Sequence, residues 1–457
     1  MKESREEFLD IVEDITSLIR ENAVKRLKLN TFEEIQTNKK KFISEVHKDF
    51  HKAQLKICEG LINKEKELKK LQYELKSVRR KKKSNTIANI NSEIRINNFR
   101  QLVYRKLADS IAWQIIKGQH YIARRLFIHQ LPPKITSSNI NDIITLVNEL
   151  NIKDDQSFAL ISDLTSFIQI GDIIQNTPKG IYLIEVKEGE KNKFARELLD
   201  NLNLPDEIDY DQIFPDCFDT KMKEQVIRMH KQDIRAKRAK EVINKGVGKD
   251  PISGRNTFIN EVNSELDYYY DVIERLIKES ESKDWAYDVV DECLHIGAYR
   301  NNWLAYGPFA LEYIIKETTG KVVKPISLLN NINIQITEPI FLKPFNKKTL
   351  RDILSGEVMV YMSLDYEQVI RKFKALGVIA KWSSRKETHQ LMNGDPNKQE
   401  LIRIDNQALN ISNDKASFHL GSGFFVRIVS DNLKPNNAIN LFTEMLNISG
   451  IPKGSAE

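Results

Sequence analysis

Phe158-Ala-Leu-Ile-Ser-Asp163, Phe167-Ile-Gln-Ile-Gly-Asp-Ile-Ile174 and Ile181-Tyr-Leu-Ile-Glu-Val-Lys187 are the stretches that decide the fold. Each is a short apolar run of β-like composition. Between the last two lies Asn176-Thr-Pro-Lys-Gly180, a turn-rich sequence. Three such runs with short connections predict an antiparallel meander. Helical spacing brackets it on both sides. Upstream, residues 94–128 carry Leu102, Leu107, Ile111, Ile115 and Ile116 at helical steps, and Pro132-Pro133 ends the pattern. Downstream, helices are predicted at 194–201 and 220–244.

Further out, residues 1–95 read as helical throughout. Phe8, Ile11, Val12, Ile15, Leu18 and Ile19 form one apolar stripe. Ile57, Leu61, Lys64, Leu68, Leu71, Leu75 and Val78 follow alternating steps of four and three, a heptad seam with one lysine in it. Val46, Phe50 and Ala53 extend the seam through a stutter. A long helical hairpin or coiled coil is expected, its partner being the first helix, a later helix or a second copy of the chain. Beyond 259 the pattern mixes both periods. Helices are expected near Tyr268, at 366–376 and at 438–446, and strands at 358–363 and 424–430. The chain is therefore expected to be a mixed α+β protein in three parts. These are a helical arm (1–95), a core (96–258) and a C-terminal α/β domain for recognition or regulation (259–457).

At 457 residues, with 41% hydrophobic and 29% charged, the composition excludes a collagen-like or wholly disordered chain. No apolar run is long enough for a transmembrane helix, and residues 1–14 lack the apolar segment of a signal peptide. Three scattered cysteines, Cys58, Cys217 and Cys293, form no metal-ligand cluster and point to a reducing, cytoplasmic setting. Residues 64–83 hold ten basic side chains against three acidic ones, a local excess larger than the whole chain's +6. Such a run, including Arg79, Arg80 and Lys81, is either a solvated helix end or a contact for nucleic-acid backbone.

The chemistry gathers around the meander. Asp172 opens the second strand's apolar pair, and Glu185 and Lys187 share one face of the third. If those strands pair across the 178–180 turn, two carboxylates and an ammonium converge. Carboxylates are hard oxygen ligands suited to Mg2+ or Mn2+. A lysine beside such an ion orients or helps deprotonate a water, or meets charge developing on a phosphate. The alternative is that these are ordinary charges at strand ends.

Gly171-Asp172, the thirteen-residue step and Glu185-Val186-Lys187 behind an apolar strand resemble the PD-(D/E)XK nuclease superfamily, the restriction-endonuclease-like fold. The resemblance covers residues 100–250. It implies that Asp172 and Glu185 bind the divalent metal, joined by the main-chain carbonyl of Val186, and that Lys187 serves the attacking water. Gly171 stands where the motif's proline would be. The upstream acidic residue of many members is not evident: Glu149, Gln114 and Asp163 are the nearest options. The helix after the third strand would bring Gln225 and Gln232, one heptad apart, towards a phosphate or metal-bound water, and Arg228 and Arg235 towards nucleic-acid backbone. A solvent-facing basic stripe is the alternative for the arginines. The resemblance implies a Mg2+-dependent endonuclease acting on DNA. The arm and the extra domain suggest prokaryotic restriction or anti-phage defence, self-association through the N-terminal helices, and a protein partner that controls activity. The rival is a non-catalytic, nuclease-like coiled-coil protein that holds nucleic acid or assembles partners.

Other signals carry less. Gly246-Val-Gly-Lys-Asp250 lacks the P-loop spacing. His47 and His51, and Cys293 with His295, lack a third ligand. Tyr268, Tyr269 and Tyr270 suit either base stacking or an internal interface.

Overall fold

The computed structural model describes residues 3–449 apart from 30, 81–83, 138–139, 187–189, 203, 207, 214–219, 260–264, 319–323 and 394–400. The protein is a mixed α+β chain, 63% helix and 15% strand. Helix is well above the usual third or so, because two helices alone run for 42 and 32 residues. The chain divides into two compact units, one formed by 10–260 with 339–342, the other by 1–9, 261–338 and 343–457. The helical arm and the meander fall in the same unit, and the chain passes to the other near 260.

The first unit begins at residue 10, within α1 (Arg5–Arg20), and continues with α2 (Asn22–Leu27), α3 (Phe32–Thr37), α4 (Lys39–Arg80) and α5 (Ser84–Ile115). The last two pair as a hairpin. Ala53, Ile57, Leu61, Leu71 and Leu75 of the heptad seam are buried. Far out on the hairpin, Leu71 and Leu75 meet Ile90, with Val78, Ile87 and Ile94 around them. The seam's partner is therefore α5 of the same chain. Lys64 is buried in the seam, and its ammonium meets Glu67 at 3.0 Å. The helices approach closely at Gly60, where an added Cβ would lie 2.4 Å from the Tyr104 ring.

The chain continues through α6 (His120–Leu126) and α7 (Ile140–Lys153) to the sheet: β1 (Phe158–Ile161), β2 (Ile173–Thr177) and β3 (Gly180–Ile184). These pair antiparallel in the order β1-β2-β3, as the meander predicts. All four residues of β1 are buried, which is why the run reads as continuously apolar rather than alternating. Edge strands expose main-chain groups, and amide side chains meet them here. Asn151 of α7 accepts from Ala159 N at 2.7 Å and donates to Ala159 O at 3.0 Å. Gln54 of α4 accepts from Ile161 N at 2.8 Å. On the far edge, Asn244 accepts from Ile181 N and donates to Ile181 O, both at 2.9 Å. That asparagine belongs to α10 (Thr220–Lys245), which follows α8 (Glu190–Leu202) and α9 (Tyr210–Ile213). A short hairpin, β4 (Val247–Lys249) and β5 (Asn256–Phe258), closes the unit.

One expectation fails inside this sheet. The run from Phe167 predicts strand, yet β2 begins only at Ile173. Phe167, Ile168 and Ile170 are buried without a strand partner. Gln169 instead ties the segment down: its N donates to Leu126 O at 2.8 Å, and its side chain accepts from Ile128 N at 2.9 Å. Gly171 then adopts φ +80°, with Ile184 backbone atoms 3.4 Å from where its Cβ would be. That backbone turn interrupts the strand.

The second unit contains α11 (Tyr270–Lys283), β6 (Trp285–Val290), β7 (Leu294–Arg300), α12 (Trp303–Thr318), β8 (Ile326–Ser327), α13 (Lys347–Ser355), β9 (Val358–Leu364) and α14 (Tyr366–Ala375). It ends with β10 (Ile379–Trp382), α15 (Arg385–Asn393), β11 (Arg403–Ile404), β12 (Gln407–Ser412), β13 (Ser417–His419), α16 (Ser422–Val429) and α17 (Pro435–Ser449). Its sheets run β6-β7-β9-β8 and β10-β12-β11, with β13 on β12. Residues 424–430 are not the expected strand but most of α16. Phe424 and Ile428, four apart, are both buried, and a short apolar run does not separate buried helix from buried strand. Tyr269 is buried and donates to Ile428 O at 2.6 Å, and Tyr268 stacks on Tyr270 at 5.1 Å, so the three tyrosines pack inside this unit. Among the described residues, no helix is long and apolar enough to cross a membrane.

Candidate active site

Pairing in the sheet brings the sequence-selected carboxylates to one place. The last β2–β3 pair is Ile173 with Ile184, so the next residues outward are Asp172 and Glu185, just beyond the strands rather than within them. The join is firm. Asp172 N donates to Ile184 O at 2.9 Å, and Val186 N donates to the Asp172 carboxylate at 2.6 Å. From the other side, Ser162 N donates to Asp172 O at 2.9 Å. Asp163, two residues past β1, thus reaches the same end of the sheet. Its carboxyl is pushed above the ordinary aspartate range, first by burial and then by the charges of Glu185 and Glu65, while Arg105 opposes the rise. Lys187 and Lys81 lie outside the described residues.

Two residues unnoticed in the sequence shape this end. Arg105 of α5 is buried and donates to three main-chain carbonyls: Asp163 at 2.6 Å, Thr165 at 3.2 Å and Pro133 at 2.6 Å. It fixes the segment that carries Asp163 and places a positive charge beneath it. Burial lowers its pKa, and Glu65, Asp109 and Asp163 oppose that. Glu65 of α4 is buried and accepts from Ile135 N, Thr136 N and the Thr136 hydroxyl at 2.8–2.9 Å. The available signal was charge on buried helical runs: Arg105 stands beside Lys106 and Asp109 in a run that is otherwise largely apolar, and Glu65 adjoins the seam lysine.

The helical residues are placed differently. The Gln225 amide donates to Asn192 of α8, and its carbonyl accepts from Arg228 at 2.6 Å. The role that the resemblance implies needs that amide at the sheet end. Arg228 and Arg235 are exposed and Gln232 is half-buried. Asn244 and Lys240, whose ammonium lies 4.6 Å from the Tyr182 ring centroid, are α10 residues that meet β3. Arg79 and Arg80 are exposed at the end of α4. Glu149 is exposed on α7, and Gln114 donates to Ile19 O at 3.3 Å.

Comparison with family models, with curated proteins and with solved structures finds no match. The chemistry of the site must therefore be argued from its own atoms. Among the described residues, no group of three histidine, cysteine, aspartate or glutamate side chains has metal-holding geometry. A cation here would rest on the Asp172 and Glu185 pair, completed by a main-chain oxygen, water and phosphate. Mg2+ accepts such an arrangement, because it keeps several waters and commonly binds through one or two carboxylates plus substrate phosphate. A site that needs three protein side chains, as for structural zinc, does not fit.

Proposed function

We propose that the protein is a divalent-metal-dependent nuclease whose site is the end of the β1–β3 sheet. The observation that carries this reading is the register that sets Asp172 opposite Glu185, with Asp163 within electrostatic reach. Asp172 and Glu185 would hold Mg2+ or Mn2+ with the Val186 carbonyl, and the ion would polarise a scissile phosphate. Lys187, two residues past Glu185, would orient the attacking water. Arg105 and Glu65 would keep the Asp163 segment in place. Exposed Arg228 and Arg235 suit phosphate contact. DNA is the proposed substrate, with restriction or anti-phage defence in a prokaryotic cytoplasm as the setting and a protein partner as the control.

The test is plasmid nicking with and without Mg2+ for the wild-type chain and for Asp172→Ala, Glu185→Ala and Lys187→Ala. Metal-dependent cleavage lost in each variant supports the site. Cleavage that survives all three removes it, and binding without cleavage in the wild type leaves a non-catalytic nucleic-acid protein.

A further inference from the structure

The hairpin of α4 and α5 extends past its ties to residues 135–136, made by Glu65 with Ile135 and Thr136 and by the Lys69 ammonium, which donates to the Thr136 hydroxyl at 2.8 Å. In that outer part the faces of α4 differ sharply. Leu71 and Leu75 are buried against Ile90, with Val78 beside them. On the opposite side, Lys66, Lys69, Lys70, Lys76 and Arg80 follow one another at steps of three, one, six and four residues, all exposed. In a helix of 3.6 residues per turn these positions fall within about a third of the circumference, a face about 21 Å long. Tyr73 sits in the middle of that face with 79% of its surface exposed. Glu67 and Glu74 fall to one side. The adjoining start of α5, from Ser84 to Ser92, carries asparagine, serine and threonine among its apolar seam residues, with no acidic side chain.

A solvated helix face needs neither the single sign nor the exposed aromatic. A large ring held in water by a helix has no packing role there, and lysines on both sides would favour an anionic partner with flat groups to stack on. A nucleic-acid strand offers both: phosphates at regular spacing and unpaired bases. An acidic peptide offers only the charge. We infer that the outer face of α4 binds single-stranded nucleic acid, with phosphates along Lys66, Lys69, Lys70, Lys76 and Arg80 and one base stacked on Tyr73. This binding is independent of cleavage at the sheet end.

The measurement is fluorescence anisotropy of labelled DNA and RNA single strands of about 12 nucleotides, within the usual site size of about 4–16, and of a DNA duplex. EDTA is present throughout, so that cleavage plays no part. The full chain is compared with Lys66→Gln/Lys70→Gln/Lys76→Gln/Arg80→Gln, with Tyr73→Ala and with Tyr73→Phe. The changed side chains are exposed and away from the seam, so unchanged helical circular dichroism is expected. The four-charge variant should bind at least tenfold more weakly, and its slope of log affinity against log salt should fall by up to about 3, at ~0.7 per released contact on a single strand. Tyr73→Ala should lose about tenfold, the order of one base stack, and Tyr73→Phe should retain wild-type affinity. Wild-type affinity and salt slope in the four-charge variant would overturn the inference. So would tighter binding to duplex that is indifferent to Tyr73, or displacement by poly-glutamate as readily as by unlabelled oligonucleotide. Loss of cleavage on Lys187→Ala with this binding intact would separate the two sites.

Discussion

Two charge clusters flank the same buried segment, residues 162–172, and they meet their charges in different ways. In the first, Lys106 and Asp109 of α5 are buried and 2.9 Å apart. Asp109 also accepts from Ser166 N at 2.7 Å and from the Ser166 hydroxyl, and Lys106 donates to that hydroxyl at 3.1 Å. Donors and acceptors match within the protein, and the cluster pins α5 to the segment. In the second, Asp163, Asp172 and Glu185 gather like charges at the sheet end, with Arg105 the cation whose charge opposes the rise in Asp163. A closed pair serves the fold; gathered like charges in partial burial are what a cation or a phosphate-bound ion relieves.

The contrast can be broken first at its strong side. Asp109→Ala leaves the buried Lys106 ammonium without its counter-charge and is expected to cost about 3–5 kcal/mol in urea unfolding, whether or not Mg2+ is added. A loss near zero would mean that the cluster is not a buried pair in solution. The open cluster should behave in the opposite way. Asp172→Asn and Glu185→Gln each remove one of several like charges, so the metal-free chain should keep its thermal midpoint or gain slightly. Mg2+ at about 100 times its Kd should stabilise the wild-type chain by about 2.7 kcal/mol, and both variants should lose that response. An equal Mg2+ response in all three chains would place the ion elsewhere.

The smallest effect sharpens the electrostatics. The Asp163 carboxyl is raised by burial and by Glu185 and Glu65, so the folded state favours its protonated form. That contribution is complete below the ordinary aspartate pKa of about 3.9 and is lost as pH rises through the higher folded value. The stability of the wild-type chain relative to Asp163→Asn should therefore fall from about pH 4 upwards. Urea midpoints over a pH series measure it, and a flat difference would remove Asp163 from the cluster's electrostatics.

Much of the sheet end was legible because it is local. The turn at 178–180 and two apolar runs set the β2–β3 pairing, and pairing alone puts Asp172 opposite Glu185. Gly171 was visible as well, but not its φ of +80° or the end it puts to the strand. The buried segment from Phe167 looked like strand because burial and strand pairing both select apolar residues. Residues 424–430 misled for the same reason. Arg105 and Glu65 showed in the sequence only as charges in helical runs: their partners lie 28 to 71 residues away, and no spacing rule connects them.

The sequence by itself determined what short-range chemistry can specify: helices with one apolar face, a three-strand meander, a heptad seam, and two carboxylates at strand ends in register. Tertiary structure decided which surface covers which. Only packing chose α5 of the same chain as the partner of the seam, set Asn151, Gln54 and Asn244 on the edge strands, and left the lysine-and-tyrosine side of α4 facing water. Those outcomes depend on which distant groups satisfy buried polar atoms and apolar area at once, a condition that no single stretch of chain contains.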